Sequence, residues 1–352
     1  MADTDRMALP LRLPRRLPAA VALAALASVL LLPARAGAEP YLPAPGTVFA
    51  GVASGDDVAD FEQRTGTHPA VWQQWIQWGK PFGYAFDRAR GARARLMLHV
   101  STAAGQNQRG SISPGAIARG DGDAYLLALN AAIAAQGAPV YVRLMGEMNN
   151  CDLAYSSHNC NGTRRPADFS AGRFIQAWRR AVLILRGGDV GALNARLAAL
   201  RLPPVRGAAG ALPAPQVAFV WSPMTGGSPM IAALRPERYW PGGAYVDWIG
   251  TSFYSKFPNF RFLEPYYAHF AARYRKPFAF AEWAMWGADN PRFARDLFAW
   301  VRRHPLVRMM VYNQGAPSPG LFRLGRYPRA AAVVRRGLAS PRFAQVAPEF
   351  AG

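Results

Sequence analysis

Lysine is nearly missing from this 352-residue chain, with Lys80, Lys256 and Lys276 the only three. Arginine therefore supplies almost all of a formal net charge of +20. Glutamate is scarce too, confined to Glu39, Glu62, Glu147, Glu237, Glu264, Glu282 and Glu349. Cysteine occurs only as Cys151 and Cys160. With His158 alone beside them the pair cannot complete a tetrahedral zinc set, and the spacing is not that of a redox motif. No glycine-rich nucleotide turn follows any strand-like run, which argues against an open doubly wound sheet. No internal repeat and no nucleic-acid-binding module is present. Past the N-terminus no apolar run is long enough to span a bilayer.

The N-terminus reads as an export signal. Arg12, Arg15 and Arg16 precede an apolar stretch from Ala19 to Leu32, followed by small residues at Ala34, Ala36 and Ala38. A basic segment, a short apolar segment and an A-x-A site are the parts of a secretory signal peptide. Cleavage is expected after Ala38, or alternatively after Ala36. That gives residues 1–38 as signal, 39–352 as one catalytic domain, and a secreted or periplasmic protein without a stable membrane partner once cut. An uncleaved anchor is the rival, against which the apolar run is shorter than the roughly 20 residues a spanning helix needs. In an exported chain, Cys151 and Cys160 read as a disulfide closing a small loop.

The arginine surplus has two readings. It can mark nucleic acid, membrane headgroups or an acidic polysaccharide as partner, or it can reflect a GC-rich genome writing Arg for Lys. The charges are scattered along the sequence, and no nucleic-acid partner is expected.

From Thr47 onward, short apolar runs alternate with helical patterns, the mark of βα units around a parallel sheet. Strands are expected at 48–52, 70–74, 95–101, 140–146, 217–222, 248–254, 277–282 and 307–313. Helices are expected at 124–135, 171–185, 263–274, 291–303 and 328–338. Eight strands with following helices over this length give a single (β/α)8 TIM barrel, an α/β fold. The stretch from Arg186 to Pro215 reads as a long surface excursion. Trp72, Trp75 and Trp78 sit at helical spacing and read as core.

Two of the seven glutamates end apolar strands: Glu147 closes Pro-Val-Tyr-Val-Arg-Leu-Met-Gly-Glu and Glu282 closes Lys-Pro-Phe-Ala-Phe-Ala-Glu. Barrel chemistry sits at that end of the strands, and a carboxylate there is costly unless it is paired or used. Two such carboxylates suit glycosidic cleavage, one protonated to release the leaving oxygen and one ionised beneath the anomeric carbon. The bland alternative is a pair of salt-bridged strand ends.

The run Arg143-Leu-Met-Gly-Glu147-Met-Asn149, together with Tyr-Trp-Pro-Gly-Gly-Ala-Tyr-Val-Asp-Trp-Ile-Gly at 239–250, resembles glycoside hydrolase family 26. Phe-Val-Trp221-Ser-Pro, Tyr254 and Lys-Pro-Phe-Ala-Phe-Ala-Glu282 extend the likeness over most of residues 47–315. That family contains β-mannanases and related β-glycanases. The resemblance implies a retaining endo-β-glycanase with polysaccharide or oligosaccharide as substrate, β-1,4-mannan first, with Glu147 as acid/base and Glu282 as nucleophile. The alternatives are the same barrel acting on β-glucan, β-xylan or an acidic exopolysaccharide, or a catalytically silent polysaccharide-binding protein. It also implies that Tyr254 hydrogen-bonds the nucleophile. One departure stands out: the family usually carries His directly before the acid/base, where this chain has Gly146.

The remaining candidates are open. Arg143, four residues before Glu147, points to the same strand face and either holds one of the glutamates or makes a plain interior ion pair. Asn149 contacts sugar or a loop carbonyl. Trp221, Trp283 and Trp286 are sugar platforms or packing, Trp283 most simply packing because it points away from Glu282. His99 is a cleft residue or a satisfied buried histidine. No metal or cofactor and a monomeric state are expected.

Overall fold

The computed structural model describes residues 40–56, 58–315 and 320–351, so the expected signal segment lies outside the described residues. Eight parallel strands form the barrel: β1 (Val48–Ser54), β2 (Val71–Gln77), β3 (Arg95–Ser101), β4 (Val140–Leu144), β5 (Val217–Trp221), β6 (Trp248–Tyr254), β7 (Phe278–Ala284) and β8 (Val307–Gly315). Each pairs with the next, and β8 returns to β1 in the register Phe49↔Met309 to Ala53↔Asn313, closing the sheet. The single (β/α)8 TIM barrel is therefore the observed fold.

Alternation along the strands builds two cores. Val48, Ala50 and Val52 of β1 face outward into a large layer shared with the helices, whereas Phe49 and Ala53 face the barrel interior. Met97, Tyr141, Val220, Trp248, Met309 and Val311 fill that interior. It is a packed core rather than a pore, as expected for eight strands. Both faces of each strand are covered, which is why the strands read as apolar runs in the sequence.

The helices α1 (Ala59–Thr65), α2 (Gly83–Gly91), α3 (Asp123–Gln136), α4 (Ala171–Arg186) and α5 (Val190–Ala199) precede β5. After β6 come α6 (Phe260–Tyr266, continued by a π-helical turn at Tyr267–Ala272), α7 (Pro291–Arg303) and α8 (Pro328–Leu338). Pro291 and Pro328 occupy first turns, where a missing N–H costs nothing. Helix α5 lies within the expected excursion and buries Leu193 and Leu197. Two expectations change. Between β5 and β6 the connection is made by short 3-10 turns rather than a full helix. Trp72 and Trp75 lie on β2, not on a helix; alternation buries Trp72 and leaves Trp75 42% exposed.

Candidate active site

Strand β4 stops at Leu144, earlier than its apolar run suggests, because the chain turns sharply there. Met145 and Glu147 take left-handed φ values of 45° and 55°. Such conformations cost on the order of 1–3 kcal/mol each in a non-glycine residue. Hydrogen bonds hold them: Met145 N donates to Val100 O at 2.7 Å, Glu147 N to Ser222 O at 2.8 Å, and the Tyr155 hydroxyl to Gly146 O at 2.6 Å. The turn lifts Glu147 into the mouth of the barrel.

Glu282 arrives by a different device. Along β7, Ala279 and Ala281 face inward and Phe280 faces outward, so simple alternation would turn Glu282 away from the mouth. The register slips at this point: Thr251 pairs with Phe280, but Ser252 pairs with Glu282. The extra residue is a β-bulge, which re-aims a side chain. It brings Glu282 to the mouth and sends Trp283 outward, where it packs at 5.0 Å from the Tyr312 ring and 5.9 Å from that of Phe298.

Five side chains surround the Glu282 carboxylate. Oε1 accepts from Arg143 Nη1 at 2.5 Å and Gln73 Nε2 at 2.7 Å, and His99 Nδ1 lies 3.5 Å away. Oε2 accepts from the Tyr254 hydroxyl at 2.8 Å and Asn313 Nδ2 at 3.5 Å. Burial alone pushes this carboxyl up, but the Arg143 charge and the hydrogen bonds outweigh it and hold the group well below the usual carboxylate range. Arg143 is itself fully buried and spans the site, donating also to Ser222 Oγ at 2.7 Å and Ser252 Oγ at 2.9 Å. Of the two glutamates, it is Glu282 that Arg143 holds.

His99 faces Arg143 across β3 and β4. Burial and the Arg143 charge lower it to about 4, so it is neutral near pH 7 and its approach to Glu282 is not an ion pair. Arg143 Nη1 donates to His99 Nδ1 at 3.2 Å, which leaves the imidazole proton on Nε2. That nitrogen has no hydrogen-bond partner among the described residues, and the ring lines the cleft.

Glu147 sits in the opposite environment. Burial and the nearby Glu282 charge push its carboxyl up, against weaker lowering by Arg143, Ser252 and Asn150, whose Nδ2 donates to Oε2 at 3.1 Å. The mouth thus keeps one carboxyl ionised and favours a proton on the other. Burial and the Glu282 charge also raise Tyr254 well above its ordinary value, so it remains a donor.

Gly146 explains itself in this geometry. A Cβ at this position would lie 2.7 to 2.9 Å from the Nε, Cζ and Nη2 atoms of Arg143. The guanidinium occupies the space that any side chain here would need.

The cleft encloses about 560 Å³. Glu147, Glu282, His99, Tyr254 and Trp286 all line it, so the fold brings these expected residues together. One candidate is corrected. Trp221 points outward from β5, fully buried against Trp240 and Phe270, each 4.9 Å away, and is not a sugar platform. Asn149 is buried and meets loop carbonyls rather than the cleft: Nδ2 donates to Met224 O at 2.9 Å and Leu234 O at 3.0 Å, pinning the loop after β5. Gln73, Asn150, Ser252, Asn313 and Trp75 belong to the site but were not expected. Gln73 and Trp75 share the inward face of β2, and the tryptophan spacing that suggested a helix concealed both. Cys151 and Cys160 form a disulfide beside Asn150, so neither sulfur is available as a thiolate ligand.

No family model and no curated protein matches the chain. Solved structures do. A Cellulomonas fimi endo-β-1,4-mannanase double mutant is 16% identical, with TM-score 0.57 over 86% of this chain and 73% of that one. A glycoside hydrolase family 26 protein from a Muricauda species is 15% identical, with TM-score 0.55 over 85% and 92%. A Bacteroides ovatus family 26 β-mannanase is 16% identical, with TM-score 0.52 over 86% and 91%. The chain thus has the (β/α)8 fold of glycoside hydrolase family 26.

Proposed function

We propose that this protein is a retaining endo-β-glycanase acting outside the cytoplasm on a neutral polysaccharide, with β-1,4-mannan the first substrate. The observation that carries this reading is the opposite polarisation of two carboxyls in one cleft. Glu147 donates its proton to the glycosidic oxygen as Glu282 attacks the anomeric carbon, and the glycosyl group passes to Glu282 Oε. Glu147, now a carboxylate, takes a proton from water, which releases the sugar with net retention. Arg143, Gln73 and Tyr254 hold the nucleophile ionised and oriented. His99 Nε2 offers a donor to a sugar hydroxyl. The intact pair and its supports speak against a catalytically silent binding protein.

The cleft also narrows the substrate class. Its charged lining residues among the described ones are Glu147, Asp152 and Glu282, with no lysine or arginine. No lining lysine or arginine among the described residues is there to pair with an acidic polysaccharide, whatever the net charge of the whole chain. A neutral β-glucan or β-xylan remains the second reading, favoured by Gly146, where the family usually carries His. Reducing-sugar release from purified mannan, β-glucan, xylan and an acidic glycan tests this. Release from neutral glycans is expected; release from the acidic glycan alone would overturn the substrate class.

The pH dependence follows from the two carboxyls. The active form needs Glu282 ionised and Glu147 protonated. The rate should fall with acid only below the depressed titration of Glu282, and with base as pH rises through the elevated titration of Glu147. The limbs are properties of the coupled pair. A kcat/KM profile lacking a basic limb would contradict the assignment of Glu147.

Trp75 stands exposed at the cleft, across the barrel from Phe257 and Trp286. A ring worth about 0.5–1.5 kcal/mol of stacking implies that Trp75→Ala raises KM for long oligosaccharides by roughly 2- to 10-fold, leaving kcat on small aryl glycosides unchanged. Equal effects on both substrates would remove Trp75 from substrate binding.

A further inference from the structure

Several of the arginines that look scattered along the sequence are gathered by the fold. Helices in this barrel run antiparallel to the strands, so their C-termini collect at the face opposite the mouth. The last turn of α7 carries Arg302 and Arg303, and that of α8 carries Arg335 and Arg336. Arg275 and Lys276 precede β7, Arg308 is the second residue of β8, and Arg342 lies just before a two-residue strand paired to the start of β1.

Basic last turns complement the helix dipole, but that effect does not reach the residues between helix and strand. The carboxylates near this end are already taken. Asp247 is held by Arg186 at 2.8 Å, Glu349 by Arg95 at 2.5 Å and Glu264 by His304 at 2.9 Å, while Asp189 caps α5. Among the described residues, none of Arg302, Arg303, Arg335, Arg336 and Arg342 has a carboxylate within 4.0 Å. Arg308 and Arg342 donate instead to backbone carbonyls, which leaves their charge uncompensated. Burial and the proximity of Arg342 lower Arg308, as expected of like charges held together.

The mouth side differs. Several of its arginines meet carboxylates, Arg323 with Asp56 and Asp60, Arg119 with Asp168 and Arg329 with Asp289. Those without an ion pair among the described residues, such as Arg109, Arg164, Arg238 and Arg261, sit on separate segments. The described chain also begins on the basic face, where Pro40 O accepts from Trp248 Nε1 and Tyr41 O from Arg95.

We propose that the face opposite the mouth docks on an anionic lipid surface, with the phosphate headgroups meeting Arg302, Arg303, Arg335, Arg336 and Arg342. Docked this way, the barrel holds its cleft away from the bilayer, open to polymer. This modifies the expectation of no membrane partner, and it is independent of the chemistry at the mouth.

The test is co-sedimentation of residues 39–352 with phosphatidylcholine vesicles, with and without phosphatidylglycerol. Binding is expected only to the anionic vesicles and should weaken with salt over a screening length of about 8 Å at physiological ionic strength. Reversing Arg302, Arg303, Arg335 and Arg336 to Glu should weaken it at least about tenfold, since each basic side chain near the surface contributes substantially. Their replacement by Gln, with circular dichroism as a check, should also weaken it if the reversed variant misfolds. Arg109, Arg164, Arg238 and Arg261, exposed on loops or a helix start at the mouth side, give a control of equal charge change that should bind normally. Equal loss in both sets, no binding to anionic vesicles, or tighter capture of duplex DNA than of vesicles by the same face would each overturn the proposal.

Discussion

Glu147→Ala is expected to lose nearly all activity on polymer yet keep its glycosylation step on aryl glycosides with acidic phenols. Such leaving groups depart without a proton, so only deglycosylation suffers for want of a base, and the covalent intermediate accumulates. The loss on activated substrates should be about 10²- to 10⁴-fold, the usual range for general acid/base help. Azide needs no base and should restore turnover, giving a glycosyl azide of retained configuration. Glu282→Ala should behave oppositely, because no intermediate can form and a good leaving group cannot help. Azide rescue there should invert the anomeric centre by attack through the vacated space. The reversed pattern of azide products would exchange the two roles.

The second large effect is expected at Arg143 and its neighbour. Arg143→Met leaves Glu282 buried without its main counter-charge, and breaking such a pair costs about 3–5 kcal/mol. With that charge gone, burial dominates and the Glu282 titration moves up. The acid limb of kcat/KM should therefore shift to higher pH, and activity at neutral pH should fall by on the order of 10²-fold. Gly146→Ala reaches the same guanidinium without touching its charge. The φ of Gly146 lies outside the left-handed region, so alanine is compatible with the backbone, and the penalty comes from the Cβ meeting Arg143 at 2.7 Å. Displacing a positioning group by about an ångström can cost roughly 10²-fold. A lowered kcat with an acid limb shifted the same way as in Arg143→Met is expected. Unchanged kinetics and pH profile in Gly146→Ala would show that Arg143 accommodates a side chain there.

Much of this was legible in the sequence because burial on both faces writes strands as apolar runs. The strands at 95–101 and 248–254 and the helices at 291–303 and 328–338 fall at their expected bounds. The two glutamates stood out through their scarcity. What stayed hidden depends on local backbone events that residue type does not record. A bulge decides which way Glu282 points, and left-handed residues end β4 before Glu147. Trp221 sits at a strand end like a platform but faces outward, a parity that only the register settles. Gln73, Ser252 and Asn313 are ordinary polar residues, and only barrel closure brings Gln73 and Asn313 to the Glu282 carboxylate and Ser252 to Arg143. The basic cluster opposite the mouth appears once antiparallel helices place their last turns on one face.

The central claim, that Glu282 is the nucleophile of a retaining mechanism, is tested most directly by trapping the intermediate. An activated 2-deoxy-2-fluoro β-glycoside of the preferred sugar forms the glycosyl-enzyme but releases it slowly, and peptide mass mapping locates the label. One sugar per chain is expected, attached to the peptide containing Phe-Ala-Glu282-Trp, with none formed in Glu282→Ala. A label on any other residue, or time-dependent inactivation of Glu282→Ala by the same reagent, would contradict it.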